Sequence, residues 1–552
     1  MSNINFLYPL LRFDSLSNFI ALFVVIFTVL IFIYSSKFMQ DNHGASKYYL
    51  YLIMTFIASL GVVVSNNIIL LLVFWGFLGL TLYLLINTNA TNEAAVTAKK
   101  SLIIIGGSDS LMILGIGVIY YLTGTFQMDK IQLPIANNPL AMIAYVCLAI
   151  GCFAKAGAMP IHSWIPDCAE NAPIPVTAYL PASLDKLLGI YLLARISMDL
   201  FILNKGMQTF LLFIGAFTIV AAVMMALVQH DFKRLLGYHA VSQVGYMVLG
   251  IGTGNPVGIA GGLFHMLNNA IYKSCLFLSG GAVESKTKTS DLDKLGGLAK
   301  FMPITFVTTL IASLSISGVP PFNGFVSKWM IYQGLVELGK TGDRLWAIWL
   351  TAAMFGSALT LASFMKLIHA IFLGQRASES TAKPINEVSW QMWLPTAVLA
   401  FICIIFGVFA NQIPLKYFIF PSTGQAAFMG IWSAGLATIL ILIGLTIGII
   451  LFNLKGLKPT IRQDAPFIGT ATIDSENRVT GTEFYNTIRE LGLLGTIYKR
   501  AEQGFFDIYE QGKKITFSIS GIFQYLHNGI LPTYMVWYLL GMLGLFYILL
   551  FR

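Results

Sequence analysis

Charge is what this sequence has least of. Lysine, arginine, aspartate and glutamate make up 11% of 552 residues, against 57% hydrophobic, and the mean hydropathy is +0.76. A water-soluble chain of this length needs far more charge to cover its surface, so a soluble enzyme or binding module is excluded. The five cysteines, Cys147, Cys152, Cys168, Cys275 and Cys403, form no CxxC pair. No haem, iron–sulfur or zinc pattern is present, so no cofactor or metal site is read from the sequence, and the thiols are expected as small core residues. The apolar runs are continuous over about 20 residues rather than alternating over roughly ten, which excludes a β-barrel and predicts helices. No cleavable leader is expected, because the first apolar run is full length and lacks a small-residue cleavage end. The net charge of +9 suits positive cytoplasmic loops and anionic lipid, not nucleic acid.

Hydropathy predicts an all-α polytopic membrane protein with about fourteen spans, roughly 16–36, 48–65, 67–86, 101–123, 139–157, 174–195, 208–229, 235–252, 257–281, 302–319 continuing brokenly to 336, 345–373, 392–412, 428–453 and 531–551. Three regions result: a helical bundle over 1–454, a polar and then amphipathic stretch over 455–530, and a terminal anchor over 531–552. Lys37, Lys47, Lys99, Lys100, Lys233, Arg234, Lys286, Lys288, Lys294, Lys300, Arg376 and Lys383 outweigh the basic residues of the opposite loops, Arg12, Lys130, Arg195, Lys205, Lys340, Arg344 and Lys416. The first set predicts the cytoplasmic side, with both termini outside. Between Phe484 and Phe523 apolar residues recur at helical period among charges, which predicts a helix lying along the cytoplasmic side as a brace; if continuous, about 45 residues reach roughly 65 Å.

Several polar side chains interrupt the apolar runs. His265, Asn269 and Lys273 are spaced by four and stack on one helix face, covering about 12 Å of depth. A lysine at such depth costs roughly 2.5–3.5 kcal/mol on insertion scales, so it faces protein or water, and that points to ion or proton movement. The bland alternative is a lysine reaching for the interface beside packed hydrogen-bonders. Asp109, within Gly107-Ser108-Asp109-Ser110, reads either as a packing aspartate or as the charge partner of a nearby lysine. Lys155 lies beside Gly157 and Pro160, where a helix breaks. His162, Asp167 and Glu170 follow, either at a pathway mouth or as helix caps. Asp185 and Lys186 belong to a polar interior. Tyr238, His239, Ser242, Gln243 and Tyr246 line the eighth span as a hydrated wall or as interhelical bonders. Gly318, Pro320 and Pro321 break a second helix, and Lys328 follows. Two broken helices carrying lysines about 170 residues apart suggest two related five-helix units.

These pieces together resemble the antiporter-like membrane subunits of respiratory complex I, of energy-converting membrane-bound hydrogenases and of multi-subunit Na+/H+ antiporters, in their distal, arm-bearing form. The resemblance covers about 14–454 and rests on Lys155 with Pro160-Ile161-His162-Ser163-Trp164-Ile165-Pro166-Asp167, on Asp231-Phe232-Lys233-Arg234-Leu235-Leu236-Gly237-Tyr238 with Ser242-Gln243-Val244-Gly245-Tyr246, on Phe264-His265 with Lys273, and on Gly318-Val319-Pro320-Pro321 with Ser327-Lys328. The run from Ala358 to Lys366 leans toward the hydrogenase-type relatives.

The resemblance implies two inverted five-helix repeats and proton (or Na+) transfer along a mid-membrane axis. Lys155, Lys273 and Lys328 match its lysines, His265 a bridging histidine and Asp109 a charge partner, with His162, Asp167, Lys186, His239 and Asn269 as further path or entry positions. The partners it implies are other membrane subunits, peripheral redox subunits with Fe–S or nickel centres and lipid, in a prokaryotic inner membrane. The chain itself would hold no redox centre. Three departures stand out. Gly76 replaces the family's glutamate after Trp75, Asn269 replaces a second histidine, and two N-terminal helices have no counterpart before Phe13. The first departure removes the carboxylate expected to hold Lys155 charged, unless Asp109 substitutes. Two other readings stay open: a subunit of a standalone Na+/H+ antiporter, and a non-pumping scaffold.

Overall fold

The computed structural model describes residues 10–42, 44–374, 385–424, 434–453 and 481–551. The polar stretch expected after Lys455, together with Arg376 and Lys383 of the charge comparison, lies outside the described residues. The fold is all-α and multi-pass. Up to Thr287 the helices are α1 (Ser15–Phe38), α2 (Ala45–Val64), α3 (Ile68–Ile86), α4 (Asn92–Thr123), α5 (Pro139–Ala156), the short α6 (Trp164–Asn171), α7 (Ile174–Leu200), α8 (Lys205–Leu227), α9 (Phe232–Gly252) and α10 (Pro256–Thr287). Then follow α11 (Pro303–Ser317), α12 (Asn323–Lys340), α13 (Trp346–Leu373), α14 (Trp390–Val408) and α15 (Ala434–Asn453). The chain divides into two compact units, the first ending at Leu491 and the second starting at Gly492.

Short polar side chains start these helices by accepting from the free amides of the first turn. Asp14 caps α1, Thr91 α4, Asn138 α5, Asn204 α8, Asp231 α9 and Asn255 α10. Pro139, Pro256 and Pro303 occupy first-turn positions, where a missing N–H costs nothing.

Among the described residues ten helices are long and apolar enough to cross a membrane, against the expected fourteen spans. The physical reason is where polarity sits. Helices α9 and α10, of 21 and 32 residues, are long enough, but they carry the buried polar row and so fall short in hydropathy. The expected tenth span is divided between α11 and α12, of 15 and 18 residues. The span expected over 428–453 is described only from Ala434.

Helix α10 is the hub: it packs against α7, α9, α11, α12 and α14. Almost every residue from Val257 to Val283 is buried, including all the polar ones. Helices α8 and α9 approach so closely that a β-carbon on Gly245 would stand 2.6 Å from the carbonyl oxygen of Gly215, so only glycine fits at that crossing.

The two expected breaks share one local design. Helix α5 stops at Gly157 and α11 at Gly318, with φ of +88° and +80°, a left-handed conformation that ends a helix cheaply only with glycine. A cis X-Pro bond follows each, Met159-Pro160 and Pro320-Pro321, before α6 and α12 begin. Charge closes both ends of the bundle. At one end Lys100 pairs with Asp167 at 2.6 Å, Arg234 with Glu170 at 2.6 Å and Lys233 with Glu284 at 3.0 Å. At the other, Arg195 binds Asp14 and Asp199, with Arg12 alongside.

The second unit holds α16 (Gly492–Glu502), α17 (Ile508–Leu526) and α18 (Leu531–Phe551). The amphipathic stretch is not one rod. Gly504, at φ +72°, ends the first segment, and Asp507 caps the next by accepting from the Tyr509 amide. In α17 the apolar Ile515, Phe517, Ile519, Ile522 and Phe523 are all exposed, and α18 is long and apolar enough to cross a membrane.

Candidate functional site

A row of buried ionisable side chains crosses the middle of the bundle. Lys155 and Lys273 are fully buried and Lys328 is 2% exposed, so none of the three is open to solvent. Each is held by a backbone carbonyl or an aromatic face instead of a carboxylate in direct contact.

The row starts at α3 and α4. The Trp75 indole donates to Asp109 Oδ1 at 3.0 Å, and the Lys155 ammonium lies 5.1 Å over the Trp75 ring and 3.5 Å from the Trp75 carbonyl oxygen. Asp185 and Asp109 are the two negative charges acting on Lys155. Gly76, by contrast, faces outward, and a β-carbon there would meet nothing within 4 Å. Gly76 directly follows the Trp75 carbonyl that lies 3.5 Å from the Lys155 ammonium, so position 76 adjoins that ammonium while being exposed. The inward position at that depth is filled by Trp75.

Next come Asp185 and Lys186, both buried, after the π-helical turn Leu180–Leu184. Neither Asp185 oxygen has a protein partner, and nor does the Lys186 nitrogen. Lys186 reaches toward the break, where a β-carbon on Gly157 would stand 3.4 Å from its Nζ. Asn269 links this turn to α10, its Nδ2 donating to the Ala182 carbonyl at 3.4 Å while its Oδ1 stays unpartnered.

Lys273 donates to the Leu236 carbonyl on α9 at 2.9 Å and lies 5.6 Å from the Phe364 ring. His239 packs on the same ring, its Nε2 2.7 Å from Ser363 Oγ. His265 bridges to the second break: Nδ1 is 2.9 Å from Ser327 Oγ, and Nε2 is 3.1 Å from Gln243 Oε1. Lys328 donates to the Ile316 carbonyl, at the end of α11, at 2.8 Å and lies 4.8 Å over the Tyr246 ring. Asn268 and Asn323 hold that break together, each donating to the other's residue at 2.9 Å.

Of the wall expected on the eighth span, His239, Gln243 and Tyr246 face this interior, whereas Ser242 donates to Ile219 on α8. Asp167 lies in the Lys100–Arg234 cluster, and His162 is half-buried at the turn before α6 with its Nδ1 3.3 Å from the Pro160 carbonyl. Sequence reasoning overlooked Lys366 as a site residue. It is fully buried and donates to the Leu227 and Gln229 carbonyls at 2.7 and 2.8 Å. The signal was there: a lysine inside an apolar run, three residues after Ser363, is the same pattern that marked Lys273.

The arrangement holds the kinds of group that proton transfer uses. Amines that give up a proton alternate with hydroxyl, imidazole and amide groups, and the unpartnered atoms at Asp185, Lys186, His239, Gln243 and Asn269 are where bridging water would bind. Among the described residues no cluster of His, Cys, Asp or Glu could hold a metal ion.

Comparison with known proteins places these features. A family model described as NADH:quinone oxidoreductase/Mrp antiporter, transmembrane, matches residues 65–360. Subunit A1 of the Na(+)/H(+) antiporter of Staphylococcus haemolyticus is 32% identical over 424 residues, covering 72% of this chain and 52% of that protein. Its counterpart from Staphylococcus aureus (strain MRSA252) is 33% identical over 420 residues, with the same shares. The chain thus spans about half the length of these relatives. Among solved structures, a chain of the Mrp complex from Dietzia sp. DQ12-45-1b superposes with a TM-score of 0.67 at 20% identity, covering 74% of this chain and 85% of that one. A chain of the membrane-bound sulfane sulfur reductase, an archaeal respiratory membrane complex, gives 0.78 at 24% identity, covering 97% and 89%. At these identities the two structures establish the fold, and both neighbours are chains of larger complexes.

Proposed function

Because the chain belongs to the NADH:quinone oxidoreductase/Mrp antiporter transmembrane family, we propose that it is the ion-translocating membrane subunit of a complex-I-like redox assembly, carrying protons (or Na+) along the row from Lys155 to Lys328. The observation that carries this reading is the row itself: buried ammoniums spaced across one bundle and linked by groups that either hydrogen-bond or lack a protein partner. Isolated buried charge is too costly to retain without use.

In this reading Asp185 is the switch in the first half. Lys155 and Lys186 both act on it, and a carboxylate shared by two ammoniums pairs closely with only one at a time. A proton arriving at one lysine weakens the hold on the other, and Lys186 in turn repels charge at Lys273. His265 and Ser327 then hand the proton to Lys328, Asn269 positions water between the halves, and Asp109 steadies Lys155 through Trp75. His162 and Asp167 lie at one end of the row, near a path mouth. That end also carries Lys100, Lys233 and Arg234, which supports a cytoplasmic placement in a prokaryotic inner membrane. The exposed apolar face of α17 suits a lateral contact with lipid or a neighbouring subunit, and electron transfer falls to peripheral Fe–S or nickel subunits.

A second reading, a subunit of a standalone Na+/H+ antiporter, is favoured by the names of the Staphylococcus relatives. Purification from native membrane separates the two: Fe–S or nickel proteins in the complex support the redox assembly, and membrane subunits alone support the antiporter. Both readings require translocation by the purified complex in sealed vesicles and its loss in Lys273→Ala with assembly intact. Full translocation by that variant refutes both and leaves the scaffold reading.

A further inference from the structure

Lys366 and Ser363 lie off the row and adjoin it at His239. Lys366 caps the two carbonyls that end α8, beside the α8–α9 turn, and Gln229 there is only partly buried. That turn leads directly into Lys233 and Arg234, so Lys366 stands near the basic end of the bundle. Ser363 precedes it by three positions on α13 and therefore shares its face. His239 Nε2 contacts the Ser363 hydroxyl at 2.7 Å, while Nδ1 is buried without a partner. The imidazole and the Lys273 ammonium both lie against Phe364, 4.7 and 5.6 Å from its centroid. The charges that face His239 are Lys273, Lys328 and Lys366; no carboxylate is among them. His239 is thus bonded to Ser363 through one nitrogen and open at the other.

We propose that Lys366, Ser363 and His239 form a proton-relay branch joining Lys273 to the basic end of the bundle. The inference rests on the translocation reading above and deepens it by naming a port for the second half. A proton leaves the Lys366 ammonium through a bridging water for the Ser363 oxygen as the Ser363 hydroxyl proton moves to His239 Nε2. His239 then releases the Nδ1 proton through water to neutral Lys273. One proton has moved, Lys366 is neutral and is reloaded from the end of α8, and the imidazole is left as its other tautomer, which ring rotation resets.

The test uses the complex containing the full chain, reconstituted in sealed vesicles. Lys366→Arg keeps the positive charge and the donors to Leu227 and Gln229 but does not release a proton. His239→Gln keeps a hydrogen bond to Ser363 but carries no charge. Each is expected to slow translocation roughly tenfold or more and to enlarge the rate difference between H2O and D2O, which a packing defect does not do. Wild-type rates and isotope effects in both variants overturn the relay. If Lys366→Arg does not assemble, His239→Gln decides on the same two readouts. Lys273→Ala run in parallel separates the failures. Loss there with normal Lys366→Arg and His239→Gln sinks only the branch, whereas normal transport in Lys273→Ala sinks the reading beneath it.

Discussion

Asp109→Asn isolates the charge of the carboxylate bonded to the Trp75 indole. The substituted asparagine keeps the size of the side chain and an oxygen for the Trp75 indole, now 3.0 Å from Asp109 Oδ1, so packing is retained and only the charge is lost. The Trp75 ring lies 5.1 Å beneath the Lys155 ammonium. In series the two contacts put carboxylate and ammonium within about 10 Å, where unit charges at an effective dielectric near 20 interact by roughly 1.5–2 kcal/mol. Removing that attraction disfavours the charged form of Lys155 roughly ten- to thirtyfold, since about 1.4 kcal/mol is a factor of ten. Lys155 then loads only at higher proton concentration, so the pH profile of translocation moves toward acid by about one unit. The assay is fluorescence quenching of a pH probe in vesicles across a pH series, with native gels as the assembly control. An unchanged rate and profile in a fully assembled Asp109→Asn complex would refute the argument.

Three further perturbations test the scaffold that holds the row. Gly245→Ala forces a β-carbon to 2.6 Å from the Gly215 carbonyl, and the overpacking should cost about 1–3 kcal/mol, read as a lower thermal midpoint of the detergent-solubilised complex. Gly318→Ala meets both a left-handed φ of +80° and Lys328 Cδ at 3.1 Å; strain of about 1–2 kcal/mol and slower transport are expected together from melting and vesicle assays. Burial pushes the Asp14 carboxyl up, but the Arg195 guanidinium outweighs it and holds it at about 2. A carboxylate depressed in the folded state stabilises above its unfolded value, near 4, and loses that contribution as pH falls toward 2, here about 2 kcal/mol. Arg195→Gln should shrink this acid-sensitive component of a pH-dependent melt, leaving the part due to Arg12 and the Ser17 amide.

Much of this architecture was legible because bilayer physics leaves few options. Length and hydropathy gave the helices, and lysines within apolar runs marked Lys155, Lys273 and Lys328 as interior. Gly157 with Pro160, and Gly318 with Pro320 and Pro321, marked the breaks. What stayed hidden was whatever depends on contacts distant in sequence. His239 and Ser363 are 124 residues apart, and nothing along the chain pairs them. The carbonyl acceptors of Lys366, Leu227 and Gln229, lie about 140 residues before it in the chain. The outward direction of Gly76 is a matter of helix rotation, which Ile68–Ile86 does not encode because it is apolar on every side. Helices α9 and α10 were legible as spans at 235–252 and 257–281, but that their polar residues are buried against other helices shows only in the packing.

The account depends most directly on water joining Lys155, Asp185, Lys186, Asn269 and Lys273. A cryo-EM map of the complex in lipid, at a resolution that shows ordered water, measures this. The account predicts density within hydrogen-bond distance of the Asp185 carboxylate, the Lys186 ammonium and Asn269 Oδ1, continuing to Lys273. A dry interior in which those atoms bond only to protein and apolar side chains separate the lysines would contradict it.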